Sequence, residues 1–153
     1  MRETAMSGWE VLALPYFTKI CRATVGPSLS AAGFVETRVR PGGSLVFSRG
    51  DSFITLGYFA DYAPLELLIT IGKGDSQLDP DGRFNFVPLG FALRELSIEA
   101  DQSIWHFERD ERSLERQLGK VRDNLIVPIA LPLMNDTERL TRLIERYRAE
   151  YRP

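Results

Sequence analysis

Between residues 34 and 71 the chain carries four runs of alternating apolar and polar residues, joined by short connections. The runs are 34–40, 44–49, 52–59 and 65–71. Successive side chains of a strand point to opposite faces, so this period of two predicts β-strands. The connections at 41–43, 50–51 and 61–64 consist largely of glycine, proline and aspartate, as tight turns do. Short connections join antiparallel neighbours, and the segment is therefore predicted to be a four-stranded antiparallel meander.

The turn lengths set which residues of this meander lie opposite each other. The first turn places Thr37 opposite Phe47, the second places Phe47 opposite Ile54, and the third places Ile54 opposite Ile71. All three registers give the same apolar face, here named the core face: Val35, Val39, Leu45, Phe47, Ile54, Leu56, Tyr58, Leu65, Leu67, Ile69 and Ile71. A slip of one residue would turn a whole apolar set to the wrong side, so the three registers support one another.

The opposite face of the predicted sheet, here named the mixed face, combines apolar, aromatic and charged residues. It consists of Glu36, Arg38, Arg40, Val46, Ser48, Phe53, Thr55, Phe59, Glu66, Leu68 and Thr70. Aromatic residues and arginines around an apolar centre are the composition of a protein-binding patch. The alternative is that the C-terminal helices cover this face, with Leu118, Leu125, Leu140 and Ile144 filling the space.

Apolar residues at helical spacing lie on both sides of the meander in sequence. Residues 15–32 are predicted to be a helix that is kinked or broken at Gly26-Pro27, because proline lacks a backbone N–H and clashes one turn back. After the meander the pattern predicts a polar loop at 73–88, a short helix at 89–98 and a short fifth strand at 103–108.

Two further helices complete the predicted fold. One begins at Asp110 and is ended or bent by Pro128 and Pro132. The last helix begins at a capping box formed by Asn135 and Glu138. The fold class is therefore α+β: an N-terminal helix, a four- or five-stranded antiparallel meander, and C-terminal helices packed on the sheet. At 153 residues it is expected to be a single domain, 1–153, in which 1–8 form a flexible N-terminal tail.

The charge and cysteine content exclude several partners and environments. A formal net charge of −2 at pH 7 gives no field that would attract nucleic acid or an anionic membrane, so we expect neither as a partner. Cys21 is the only cysteine, so no disulfide can form within the chain. The N-terminus lacks the basic start and apolar run of a signal peptide, and no segment has the ~20 apolar residues of a membrane span. These features predict a cytoplasmic protein.

The sequence contains no recognisable catalytic or metal-binding motif. His106 is the only histidine, and no Gly-x-Ser-x-Gly elbow or other local pattern gives it a nucleophile. The acidic stretch after Gln77 fails as a calcium loop, because Pro88 stands where a bidentate glutamate is required. We therefore expect no catalytic residue, no metal and no cofactor, and an enzyme is the less favoured class.

The candidate binding residues come from the mixed face and from the aromatic positions near the predicted fifth strand. They are Arg38, Arg40, Phe53, Phe59, Glu66, Tyr62 and Trp105. The leading hypothesis is a non-enzymatic protein-binding domain whose partner is another protein; a homodimer is compatible with it. The alternative is a small-molecule-binding domain or enzyme, with a pocket between sheet and helices near Tyr58, Tyr62, Trp105 and His106.

The first helix, with Leu29 and then Gly33-Phe34, is followed by strands that contain Phe47-Ser48-Arg49. This arrangement over residues 16–72 resembles a loose group of small bacterial α+β domains, which includes immunity proteins encoded beside secreted toxins. The order of helix, meander and helices is also similar to that of the type III secretion chaperones, although the two helices after Pro128 depart from that pattern. The resemblance implies a bacterial immunity or accessory protein and carries over no functional residue.

Overall fold

The computed structural model describes residues 14–39, 43–59, 64–74 and 77–152, which form an antiparallel sheet of six strands with helices packed on it. This is the predicted α+β class. The strands are β1 (Val35–Val39), β2 (Leu45–Arg49), β3 (Ser52–Phe59), β4 (Leu65–Lys73), β5 (Phe86–Pro88) and β6 (His106–Phe107). The helices are α1 (Phe17–Thr24), α2 (Gly26–Ala31), α3 (Leu89–Glu95), α4 (Glu111–Val121), α5 (Leu131–Met134) and α6 (Thr137–Glu150).

The sheet has the strand order β1-β2-β3-β4-β5. β5 and β6 both pair with β4: β6 with its first two residues and β5 with residues 70–72. The predicted registers of the second and third hairpins are confirmed: Phe47 lies opposite Ile54, and Ile54 lies opposite Ile71. Local turn chemistry fixes these pairs, since both hairpins have regular ladders.

The first hairpin contains a bulge that the turn length did not predict. Glu36 rather than Thr37 lies opposite Phe47, and the register shifts before Arg38. The bulge turns Glu36 to the core face, where both of its carboxylate oxygens accept hydrogen bonds from Arg22 of α1 at 2.8 Å. It also moves Val35 off that face, and Val35 is 64% exposed, so its prediction as a core residue is wrong.

Val39 also fails as a core residue, for a different reason. It does lie opposite Leu45 as predicted, but it is the last residue of the edge strand β1 and is 48% exposed. Tyr58, by contrast, packs against the core, with its ring centroid 4.5 Å from that of Phe17. Its hydroxyl accepts a hydrogen bond of 2.7 Å from the backbone N–H of Leu14.

The segment predicted as a polar loop at 73–88 contains more regular structure than its composition indicated. β4 continues to Lys73, a small hairpin pairs Leu78 with Phe84, and β5 adds a strand to the sheet. The short predicted strand at 103–108 is a 3₁₀ turn, Gln102–Trp105, followed by the two residues of β6. β5 and β6 are too short to show an alternating pattern in the sequence, and they become strands because they pair with β4.

The helical predictions are largely confirmed. The first helix is broken at Gly26-Pro27 into α1 and α2, and Asp110 caps α4 by accepting a hydrogen bond from the backbone N–H of Ser113. Pro128 does not end the helix: α4 continues as a π-helical segment, Arg122–Ala130, whose wider turns accommodate a residue without a backbone N–H.

The last helix starts one residue later than predicted. Its N-cap is Asp136, not Asn135, and the Asp136 side chain accepts a hydrogen bond from the backbone N–H of Arg139. Asparagine and aspartate cap helices about equally well, so the sequence alone did not separate these neighbours.

The helices cover the core face of the sheet. Leu45, Ile54 and Ile69 share one buried cluster with them. That cluster includes the helical residues that the alternative placed over the mixed face, Leu118, Leu125, Leu140 and Ile144, so that alternative is wrong. The largely apolar core face offers more apolar area to bury than the mixed face does. Among the described helices, none is long and apolar enough to cross a membrane.

Candidate functional site

A cleft of about 910 Å³ opens between α3, the segment 98–102 and the end of α6. Four aromatic side chains line it, and they define what we name the aromatic cleft: Phe91, Trp105, Tyr147 and Tyr151. Its charged lining residues are Arg94, Glu99 and Asp101. A concave site of this size, with aromatic walls and a few charged groups, has the properties of a binding site.

The wall of the aromatic cleft at 98–101 is set by the way α3 ends. Ser97 has a left-handed backbone with φ of 56°, and it is the non-glycine residue with positive φ in the described part of the chain. The backbone N–H of Ile98 donates to the carbonyl of Leu93 at 2.9 Å, and that of Ser97 donates to Arg94 at 3.1 Å. This closing turn reverses the chain and brings residues 98–101 back beside α3.

Trp105 is held by hydrogen bonds at both ends of its 3₁₀ turn. At the start, the side chain of Asp101 accepts from the backbone N–H of Ser103 at 3.0 Å. At the end, the buried Gln117 side chain of α4 donates to the carbonyls of Ser103 and Ile104 at 3.1 and 3.2 Å. These bonds fix the turn, and Trp105, which is 8% exposed, forms a buried wall of the cleft.

Tyr147 is the centre of an aromatic cluster behind the cleft. Its ring centroid lies 5.1 Å from that of Phe91, 4.9 Å from that of Tyr151 and 5.3 Å from that of Phe84. These separations are typical of favourable aromatic pairs. Burial raises the pKa of the Tyr147 phenol, so it is neutral at physiological pH.

Of the charged residues that line the cleft, Arg94 forms an ion pair, whereas Glu99 and Asp101 form none with the described residues. The guanidinium of Arg94 lies 4.8 Å from the centroid of the Phe91 ring and forms an ion pair of 3.3 Å with Glu150. The pKa of Asp101 is held below its usual range by the backbone N–H of Ser103, so its carboxylate is ionised. Within the part of the chain that the structure describes, neither Glu99 nor Asp101 forms an ion pair with an arginine or lysine.

The pocket predicted near Tyr58, Tyr62, Trp105 and His106 is not a single cavity in the structure. Trp105 lines the aromatic cleft, whereas His106 lines a separate cleft of about 310 Å³, with its Nε2 3.8 Å from Oε1 of Glu66. Tyr58 packs against the hydrophobic core, and Tyr62 lies outside the described residues.

The candidate binding residues of the mixed face do not form one exposed patch. Phe53 is buried, because its ring lies over Gly72, which has no side chain there. Phe59 is 45% exposed and lies opposite Glu66, while Arg38 lies on the edge strand β1. Trp105 belongs to the core cluster on the other side of the sheet. Arg40 lies outside the described residues.

Three aromatic cleft residues were not among the candidate binding residues predicted from the sequence: Phe91, Tyr147 and Tyr151. One signal for them exists in the sequence, since Tyr147 and Tyr151 are spaced by four, as residues on one face of a helix are. Phe91 comes from a distant helix, and only the packing of α3 against α6 brings it to the same place.

The two groups most suited to covalent or metal chemistry lie outside the aromatic cleft. Cys21 is buried in the core, and this burial raises the pKa of its thiol. Asp79, from the stretch tested as a calcium loop, accepts hydrogen bonds from the backbone N–H groups of Asp81 and Arg83. Among the described residues there is no group of three or more histidine, cysteine, aspartate or glutamate side chains that could hold a metal ion.

The two stretches that carry the sequence resemblance meet in the structure, away from the aromatic cleft. The guanidinium of Arg49 lies 4.5 Å from the centroid of the Phe34 ring and donates to the carbonyl of Ala32 at 2.7 Å. These contacts join β2 to the end of α2. No protein family, no curated protein and no solved structure matches this chain.

Proposed function

We propose that the chain is a non-enzymatic protein-binding domain and that the aromatic cleft is its binding site. The observation that carries this proposal is the set of four aromatic walls: Phe91 and Tyr147 lie on helices, Trp105 ends the 3₁₀ turn, and Tyr151 packs on the ring of Tyr147. Aromatic side chains bury large areas at little cost in conformational entropy, and they dominate the binding energy of protein interfaces.

The chemistry of the cleft also favours binding over catalysis. Its described lining contains no histidine, cysteine or lysine, so of the usual bases and nucleophiles it offers only carboxylates and phenols. On the sequence resemblance, and on that alone, we further propose a bacterial immunity or accessory protein that acts in the cytoplasm.

A matched pair of aromatic truncations tests the location of the site. Tyr151 in the aromatic cleft and Phe59 on the mixed face are both 45% exposed. Peptides would be selected on the folded protein from a random display library, and their affinities measured by fluorescence anisotropy. We expect Tyr151→Ala to weaken the selected peptides about tenfold, as loss of an aromatic anchor does, and Phe59→Ala to leave them unchanged.

The reverse result would move the binding site to the mixed face and contradict the assignment of the aromatic cleft. If the library yielded no peptide that depends on either residue, the protein-binding proposal itself would be wrong. Circular dichroism of both variants shows whether they remain folded.

A small-molecule ligand is the second candidate, because about 910 Å³ also lies within the range of metabolite pockets. A thermal-shift screen against a metabolite panel tests it. One compound that raises the melting temperature of the wild-type protein, but not that of Tyr151→Ala, would support this candidate over a protein partner.

A further inference from the structure

We propose that the aromatic cleft binds a positively charged segment of its partner protein, with an arginine or lysine side chain placed among the aromatic rings. This inference rests on the proposed function and adds the chemical class of the partner. Two independent features of the cleft carry it: carboxylates that form no ion pair with the described residues, and aromatic rings, one of which already has a cation over its face.

The first feature is negative charge that is only partly compensated, because the one cation of the described residues that acts on Asp101, Lys120, does not line the cleft. Glu99 and Asp101 both line the cleft, and neither forms an ion pair with an arginine or lysine of the described residues. Asp101 also caps the 3₁₀ turn, where its carboxylate accepts hydrogen bonds from the backbone N–H and the side chain of Ser103 and remains ionised. The positive charge of Arg94 does not compensate them, because Arg94 is paired with Glu150.

The second feature is the chemistry of the walls. Aromatic rings carry negative charge density on their faces and attract cations placed over them. Arg94 already uses this attraction, since its guanidinium lies 4.8 Å from the centroid of Phe91. Trp105, the best ring for such contacts, and Tyr151 line the same cleft.

Together these features predict the order of preference for the inserted side chain. An arginine is planar and weakly hydrated, so it can stack on a ring and donate to a carboxylate at the same time. A lysine can satisfy the charge but cannot stack in this way. A glutamate would face Glu99 and Asp101 and would be repelled.

The test uses the peptide library selected on the full-length protein. We expect arginine and lysine to be enriched over the naive library among the peptides that depend on Tyr151. Within a selected peptide, replacing the basic residue by glutamine should weaken binding about tenfold, and replacing it by glutamate should weaken binding further.

Charge variants of the protein identify the partner groups. Glu99→Gln and Asp101→Asn should each weaken binding about three- to fivefold, and binding should fall further as the NaCl concentration rises. Asparagine still caps the 3₁₀ turn, so Asp101→Asn removes the charge without removing the cap. The control is Glu115→Gln, an exposed acid of α4 outside the cleft, which should leave the affinity unchanged.

The outcomes separate this inference from the proposed function. Peptides that depend on Tyr151 but show no enrichment of basic residues would overturn the inference and leave the protein-binding function standing. Affinities unaffected by both Glu99→Gln and Asp101→Asn would also overturn it. A library without any peptide dependent on Tyr151 would contradict the proposed function, and the inference with it.

Discussion

At the scale of single residues, the aromatic cleft depends on backbone and hydrogen-bonding details that lie just outside its walls. Ser97 adopts a left-handed conformation to close α3, and Gln117 reaches from α4 to hold the turn that ends in Trp105. Neither residue lines the cleft. Each one nevertheless sets where a wall of the cleft stands.

Ser97→Gly is expected to stabilise the protein. A non-glycine residue in the left-handed region carries ~1–2 kcal/mol of strain, which glycine would relieve. Glycine also increases the entropy of the unfolded chain, and this lowers the stability by roughly 0.5–1 kcal/mol. The net gain in unfolding free energy should therefore be about 0.5–1 kcal/mol, measured by urea denaturation. The control is Ser30→Gly, in the right-handed helix α2, which should destabilise by a similar amount. A loss of stability in Ser97→Gly would show that the serine side chain stabilises this turn.

At the scale of elements, the sheet shows how one irregularity redistributes burial. The bulge in β1 exposes Val35 and brings Glu36 to Arg22. The regular hairpin between β2 and β3 keeps Leu56 fully buried, opposite Leu45. Bulges and charged residues at an edge strand also hinder pairing with other chains, and β1 has both.

A pair of alanine substitutions tests this division of the sheet. Leu56→Ala should cost about 2–5 kcal/mol of unfolding free energy, because it removes a buried side chain and leaves a cavity. Val35→Ala should cost well under about 1 kcal/mol, because Val35 is largely exposed. Urea denaturation of both variants gives the comparison. Equal losses would mean that the bulge is absent in solution and that Val35 faces the core.

At the scale of the whole molecule, hydrogen bonds attach the C-terminal helix α6 to the sheet and to the segment before β5. Arg148 of α6 donates to Oδ1 of Asn85 at 2.7 Å, and Lys73 of β4 donates to Thr141 of α6 at 3.4 Å. Asn135, before α6, accepts a hydrogen bond from Arg49 of β2. These long-range contacts tie α6 to the sheet and so position Tyr147 and Tyr151.

Acid should destabilise the whole molecule through carboxyl groups whose pKa is lowered in the native state. Hydrogen bonds from arginine side chains lower the pKa of Glu36, which is paired with Arg22, and of Asp123, which is paired with Arg122. Hydrogen bonds from backbone N–H groups lower the pKa of Asp79 and of Asp101; the donors are Arg83 and Ser103, respectively. A lowered native pKa means that the unfolded chain binds more protons at acidic pH. The stability is therefore fully present above the unfolded pKa values, near 4, and is lost as the pH falls through the lower native values.

Urea denaturation between pH 7 and pH 3 measures this loss. We expect the unfolding free energy of the wild-type protein to fall below about pH 4–5. In Asp101→Asn one of the responsible carboxyls is gone, so the fall should be less steep, whereas Glu115→Gln should follow the wild-type curve. An unfolding free energy that stays constant or rises down to pH 3 would contradict the assignment.

The sequence by itself determined the meander, the break at Gly26-Pro27 and the cap at Asp110, because each depends on residues close together in the chain. Turn length sets register, proline ends a hydrogen-bonding pattern, and an aspartate binds the N–H groups next to it. Trp105 was also among the candidate binding residues, as an aromatic position of the predicted fifth strand.

Only the tertiary structure decided which face the helices cover, where β5 and β6 add to the sheet, and which aromatic residues meet. Phe91 and Tyr147 are 56 residues apart in the numbering, and no local pattern relates them. Their contact follows from the burial of α3 and α6 against the same sheet, which is a free-energy minimum of the whole chain. The aromatic cleft is a product of that packing, so the local sequence did not predict where its aromatic and charged residues would meet.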